Sequence, residues 1–198
     1  MSLVVEFLFD VGSPASYLAY KRLPAVLART RAQARHVPFL LGGVFKATGN
    51  ASPGSIPAKG RWMTTDLARW ARKYAVDFRS NPFFPINTLH LMRGATGLID
   101  DPRYGAYLDA VFEAMWRDPK NLGDPAELVP VLARADVSPN EFKALTEDET
   151  VKARLKAATE DAVARGAFGA PTFFVGEEMF FGQDRLDFVE DALMAAAA

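Results

Sequence analysis

The sequence predicts an α/β fold whose small sheet is assembled from the two ends of the chain, with an all-helical segment inserted between them. Three observations point there. Short apolar runs with β-branched and aromatic residues lie near the ends, at Val4–Phe9 and His36–Leu41 and again at Thr172–Val175 and Met179–Phe181. The long stretch between them carries helical spacing and repeated helix-start signals. Neither pair of runs makes a sheet of useful size alone, so the ends must meet. The expected division is residues 1–42 with 166–198 as one discontinuous domain, and 43–165 as the helical insertion.

The first strand, Val4–Phe9, is broken by Asp10, Val11 and Gly12. Ser13-Pro14 then reads as a helix start, a hydroxyl N-cap followed by proline at a position where its missing N–H costs nothing. Ala15, Ala19, Leu23, Val26 and Leu27 continue that helix over residues 13–31, with a kink or break expected at Pro24. Pro38 places the second strand at an edge or a bulge. Gly42 to Gly60, rich in Gly, Ser, Asn and Pro, reads as a loop with at most a short helix around Val44–Ala47.

In the insertion, Leu67, Trp70, Ala71 and Tyr74 share a helix face, and an irregular passage through Asn81-Pro82 and Phe84-Pro85 precedes a helix near 88–98. Asp101-Pro102 opens an amphipathic helix carrying Tyr104, Tyr107, Leu108, Val111, Phe112 and Met115. Asp124-Pro125 and Ser138-Pro139 open two more, the second with Glu141 as a capping box. Thr146 with Glu149 suggests another box, and Gly166 ends the helix that follows. Gly176-Glu177-Glu178 is short enough for a hairpin, and Gly182–Asp184 starts a last helix with Leu186, Val189 and Leu193 inward.

Composition narrows the function. At 198 residues with 49% apolar and 24% charged residues, the chain holds a full core. A net charge of −1 offers no general attraction to nucleic acid. No apolar run approaches the roughly 20 residues that span a bilayer, and Glu6 and Asp10 interrupt the N-terminal run, so a cytoplasmic protein is expected. The absence of cysteine excludes disulfides and a dithiol of the chain's own, and His36 and His90 are too far apart in sequence for a metal motif, so no metal is expected. His90 lies within an apolar helix pattern and reads as structural.

A serine at a strand-to-helix turn is where a protein can hold an anion such as a thiolate, because the helix start presents amide N–H groups and a positive dipole end. Capping alone is the plainer reading of Ser13. Five motifs in order weigh against it: Phe9-Asp10-Val11-Gly12-Ser13-Pro14-Ala15-Ser16-Tyr17; Gly49-Asn50 with Pro57-Ala58-Lys59-Gly60; Phe84-Pro85-Ile86-Asn87; Gly169-Ala170-Pro171-Thr172-Phe173; and Phe181-Gly182-Gln183-Asp184-Arg185. Over about residues 3 to 194 the chain resembles the 2-hydroxychromene-2-carboxylate isomerases, relatives of the kappa-class glutathione transferases on a thioredoxin-like fold with a helical insertion.

The resemblance implies glutathione as cofactor and Ser13 as the catalytic residue that donates its hydroxyl to the glutathione sulfur. A free thiol of pKa about 8.5 is only a few per cent ionised near neutrality, and such donors raise that fraction. The resemblance also implies a cis Pro171 facing Ser13, with the Ala170 backbone pairing with the cysteinyl unit and Gly169 giving room for the approach. Phe181, Gly182, Gln183 and Asp184 would hold the γ-glutamyl end, and Asn50 and Lys59, in the loop after the second strand, the glycyl end. Asp184 as a plain cap and Lys59 as a solvated lysine are the alternatives. Lys46, with Asn87 as a weaker candidate, would bind the carboxylate of a small aromatic substrate. Phe45, Trp62, Phe83 and Phe84 form either its apolar wall or ordinary packing.

The reaction implied interconverts 2-hydroxychromene-2-carboxylate with trans-o-hydroxybenzylidenepyruvate by reversible thiolate addition to the alkene, rotation and elimination. Residues 53–56 (PGSI) depart from the isomerase pattern and read more like the transferases' GxxPxKG. The alternatives are therefore a kappa-class-like transferase or peroxidase, and a non-catalytic thioredoxin-fold binding module. A homodimer is expected from the resemblance alone. The reading requires the Ser13 oxygen to lie beside Pro171.

Overall fold

The computed structural model describes residues 3–197. Strand β1 (Val4–Phe9) leads through Ser13 into α1 (Pro14–Thr30), and β2 (Gln33–Pro38) follows. The helical stretch comprises α2 (Leu41–Thr48), a 3-10 turn at Pro53–Ser55, α3 (Pro57–Tyr74), α4 (Leu89–Gly97), α5 (Tyr104–Trp116), α6 (Pro125–Ala133), α7 (Pro139–Glu147) and α8 (Glu149–Ala164). The chain closes with β3 (Thr172–Val175), β4 (Glu178–Phe181), a 3-10 turn at Gln183–Arg185, and α9 (Leu186–Ala196). The ends do meet. The sheet order is β2-β1-β3-β4, with β1 parallel to β2 and antiparallel to β3.

Strand alternation sorts the sheet's two faces. Val5, Phe7, Phe9 and Phe173 join a core shared with α1, α5 and α9, whereas Leu8 and Phe174 pack on the other face against Phe39, Val44, Ala162 and Ala167. The first core runs without interruption into the helical stretch through Leu91, Met92, Tyr107, Phe112 and Met115. The helices are therefore packed as part of the body that holds the sheet. Helix α5 is apolar on more than one face, with Ala110, Ala114 and Trp116 buried beside the expected stripe, because it is covered on several sides.

Several local expectations shift. Helix α1 continues through Pro24, which faces solvent while Leu23 and Val26 anchor the helix. Strand β2 starts earlier than the apolar run and ends at Pro38, the last residue of an edge strand, where proline is tolerated. Glu141 does not complete a capping box. Ser13-like capping by Ser138 holds, since its Oγ accepts from Glu141 N, but the Glu141 carboxylate turns to Arg103, at 2.6 Å from Nη2. Asp148, rather than Thr146, caps α8 by accepting from the amides of Thr150 and Val151. His90 is exposed on α4 rather than packed in a core. No helix among the described residues is long and apolar enough to cross a membrane.

Candidate active site

The end of β1 and the start of β3 lie side by side, and this pairing builds the site. Ser13, 5% exposed, caps α1 by accepting from Ser16 N at 3.2 Å. The same hydroxyl donates to the carbonyl of Ala170 at 2.9 Å, across 157 residues of chain. The Ala170–Pro171 bond is cis. Ser13 and Pro171 thus face one another as the reading required, and the serine proton rests on the backbone of the residue before the proline.

The Ala170 N–H meets no acceptor among the described residues, in a half-buried position just beyond the paired part of β3. An unpaired amide at a strand end is a place for an added extended backbone. Gly182 N donates to Pro171 O at 3.0 Å, which brings the Phe181–Asp184 segment against the same corner. Gly169 has a reason of its own: a Cβ there would come within 2.6 Å of the Phe181 ring. The space expected for a ligand at Gly169 is filled by Phe181, whose ring also packs on Phe168 at 4.5 Å between centroids.

The remaining sequence-derived residues divide. Asn50 joins the site through backbone, its Nδ2 donating to Phe168 O at 2.8 Å and its Oδ1 accepting from Ala51 N. Gln183 and Asp184 lie in the 3-10 turn before α9, not in the helix itself, and the Gln183 carbonyl accepts from the Tyr74 hydroxyl at 2.7 Å. Asp184 pairs with Arg185 at 3.0 Å. Lys59 stands exposed in the first turn of α3 rather than in a loop. Lys46 lines a separate cavity between α2, α4 and α8 whose lining includes neither Ser13 nor Pro171. Asn87 is exposed and accepts from Leu89 N. Trp62, Phe83 and Phe84 are exposed at 60%, 51% and 43%, and the Phe84 ring packs on Trp116 at 5.8 Å between centroids.

Sequence reasoning missed Asp10. It is 2% exposed, and it organises the site's rear wall. Oδ1 accepts from Gly12 N at 2.9 Å, and Oδ2 accepts from Leu41 N at 2.9 Å and from Thr88 Oγ1 at 3.1 Å. One carboxylate thereby ties the Ser13 turn to the starts of α2 and α4. Burial pushes its carboxyl above the usual range, against the three hydrogen bonds that favour the ionised form. The available signal was an acid directly after the buried Phe7-Leu8-Phe9 end of β1. Trp116 adds a second tie, its indole N–H donating to Val11 O at 2.8 Å.

This geometry has relatives. Residues 4–194 match the DSBA-like thioredoxin domain family. A 2-hydroxychromene-2-carboxylate isomerase of Pseudomonas sp. (strain C18) is 32% identical, over 98% of this chain and 92% of that one. Glutathione S-transferase kappa 1 of Caenorhabditis elegans is 28% identical over 96% and 90%. A solved structure of a 2-hydroxychromene-2-carboxylate isomerase superposes with a TM-score of 0.88 at 27% identity, covering 98% of this chain and 96% of that one. The chain therefore belongs to the DsbA-like thioredoxin family of enzymes, in the group that joins the 2-hydroxychromene-2-carboxylate isomerases to the kappa-class glutathione transferases.

Proposed function

We propose that the chain is a cytoplasmic, homodimeric, glutathione-dependent isomerase that interconverts 2-hydroxychromene-2-carboxylate and trans-o-hydroxybenzylidenepyruvate. The observation that carries this reading is the Ser13 hydroxyl at a helix start, 2.9 Å from the carbonyl that precedes a cis proline, in a chain without cysteine. A site with that architecture and no thiol of its own fits a thiol brought in from outside. The unpaired Ala170 N–H fits a peptide-like backbone alongside it.

Glutathione would supply a thiolate able to add reversibly to a conjugated alkene. The chain's own residues do the rest. Ser13 has a rotatable hydroxyl that exchanges the Ala170 carbonyl for an anion, and a charge-assisted hydrogen bond is roughly twice as strong as a neutral one. The first-turn amides of α1 have no acceptor within the helix and favour negative charge beside them. Ala170 and Pro171 present the backbone edge, and Phe181, Gly182, Gln183 and Asp184 border the γ-glutamyl end. Asn50 shapes the glycyl end by fixing the Phe168 carbonyl, with Lys59 as its point charge. Lys46 and Asn87 are assigned to the carboxylate of the aromatic substrate.

A second reading, a kappa-class-like transferase or peroxidase, is favoured by the Gly54-Ser55-Ile56-Pro57-Ala58-Lys59-Gly60 segment. One experiment separates the two. The purified protein is given trans-o-hydroxybenzylidenepyruvate with and without glutathione, and both substrate and glutathione are quantified. Glutathione-dependent conversion with the tripeptide fully recovered supports the isomerase. Consumption of glutathione supports the transferase or peroxidase, and conversion that ignores glutathione contradicts both.

A further inference from the structure

The first turn of α1 carries a second hydroxyl. Ser16 is 0% exposed, and its Oγ has no hydrogen-bond partner among the described residues. A buried, unpaired hydroxyl costs stability, and each one kept in a folded protein calls for a reason. Alanine would occupy the same place in α1 without that cost and is the better helix former.

Ser16 is the third residue of α1, counted from the Ser13 cap. In a capping box the side chain at this position turns back and accepts from the backbone N–H of the cap. Here that N–H is already taken, since Ser13 N donates to Asp10 O at 3.0 Å. Helical side chains tilt toward the N-terminus of their helix, so the Ser16 hydroxyl leans toward Ser13. The Ser16 amide already touches the Ser13 side chain, donating to its Oγ at 3.2 Å. The unpaired hydroxyl is therefore one short side chain away from the oxygen at the centre of the site.

Because Ser16 Oγ is enclosed, a ligand cannot meet it directly. Ser13 stands between. Its proton rests on the Ala170 carbonyl, and its oxygen accepts from Ser16 N. A hydroxyl oxygen has room for two donors, so one acceptor place on Ser13 Oγ is open.

We infer that Ser16 is a positioning residue for Ser13. When the Ser13 proton turns from the Ala170 carbonyl to an anion at the start of α1, the Ser16 hydroxyl donates to Ser13 Oγ. Two donors on that oxygen polarise its O–H bond and fix its direction, which strengthens the hydrogen bond to the anion. The hydroxyl left unpaired in the empty site gains its partner when the site fills. The inference rests on the glutathione reading in taking the anion to be a thiolate.

The test compares wild type with Ser16→Ala and Ser16→Thr. Urea unfolding without glutathione reports on the fold. Thiolate absorbance of bound glutathione against pH gives the pKa of the bound thiol. Ser16→Ala should unfold at an equal or higher urea midpoint, because it removes an unpaired buried group. It should also raise the pKa of the bound thiol by about one pH unit, a roughly tenfold loss of thiolate below that pKa. Ser16→Thr, which keeps the hydroxyl, should lie closer to wild type than to Ser16→Ala. The inference is overturned if the bound thiol titrates alike in wild type and Ser16→Ala, or if Ser16→Thr does no better than alanine. A clearly lowered urea midpoint in Ser16→Ala also overturns it, by showing a hydroxyl that serves the empty fold. Wild type that binds no glutathione would remove the functional reading and this inference together. Wild type that binds and ionises glutathione while Ser16→Ala does the same would remove only the role of Ser16.

Discussion

The Ser13–Pro171 corner and the α2–α4–α8 cavity are opposites in construction. The corner is closed and polar: a serine 5% exposed, hydrogen-bonded on both sides, with a proline and a glycine fixing the chain around it. The cavity is open and apolar, and its arginine has an unsatisfied N–H. The corner is built from backbone and one hydroxyl, which suits holding a single atom in place. The cavity is built from side chains on three helices, which suits shape and charge recognition of a larger body. Under the proposed function the chemistry would belong to the sheet junction, and the helical stretch supplies the body that fixes it in place. Asp10 links the two regions, because it ties the Ser13 turn to Leu41 at the start of α2 and to Thr88 just before α4.

Substitutions at the two sites break or sharpen that contrast. The largest effect belongs to Ser13→Ala. Removing a single donor to a developing anion costs about 100-fold to 1,000-fold in turnover, and loss of the cap adds about 1 kcal/mol of instability. Glutathione-dependent turnover by stopped assay measures the first and urea unfolding the second.

Next comes Asp10→Asn, the change aimed at the shared residue. The new amide N–H₂ must face a donor, since all three of its neighbours donate, and a buried unpaired group costs about 1–3 kcal/mol. A lowered urea midpoint with unchanged slope is expected. Glutathione affinity should fall with it, whereas an unchanged affinity would show that Asp10 does not hold the Ser13 turn in its binding geometry.

Gly169→Ala is expected to be milder and confined to the corner. The added methyl meets the Phe181 ring, which is 41% exposed and can give way. A cost of about 1 kcal/mol is anticipated, at the low end for overpacking, with weakened glutathione binding by calorimetry.

The smallest effect concerns a group outside both sites. His36 sits in β2 among the rings of Phe7, Phe9, Tyr20 and Tyr104, and burial lowers its pKa. Below about pH 6.5 the unfolded chain takes up a proton that the folded chain resists. Unfolding free energy should therefore decline as pH falls from about 6.5 toward the depressed folded value. His36→Phe should flatten that segment of the curve in pH-dependent urea titrations, and a slope identical to wild type would contradict the assignment.

The corner was legible in the sequence because its parts are local signatures. A Ser-Pro helix start, a Gly-Ala-Pro strand start and a Phe-Gly turn each announce themselves, and their order brings them together once the ends of the chain pair. The cavity was not legible, since Lys46, Arg93 and Lys156 lie on different helices and nothing in local spacing links them. Helix α2 shows the same limit from the structural side. Gly42-Gly43 suggests a loop, yet eight residues are helical, because the first amide of α2 is capped by Asp10 from across the sheet. Lys59 changed from loop to helix for the related reason that Pro57 opens α3. Tertiary caps and inter-helix charge groupings are set by packing, which a one-dimensional pattern does not carry.

The central claim is that Ser13 keeps a borrowed sulfur ionised. Ultraviolet thiolate absorbance, recorded as glutathione is titrated into wild-type protein and Ser13→Ala across neutral pH, tests it most directly. The account predicts a bound thiolate whose absorbance persists well below the ordinary thiol pKa of about 8.5 in the wild type and is lost in the variant. Equal thiolate signals in both proteins, or no glutathione binding to the wild type, would contradict it.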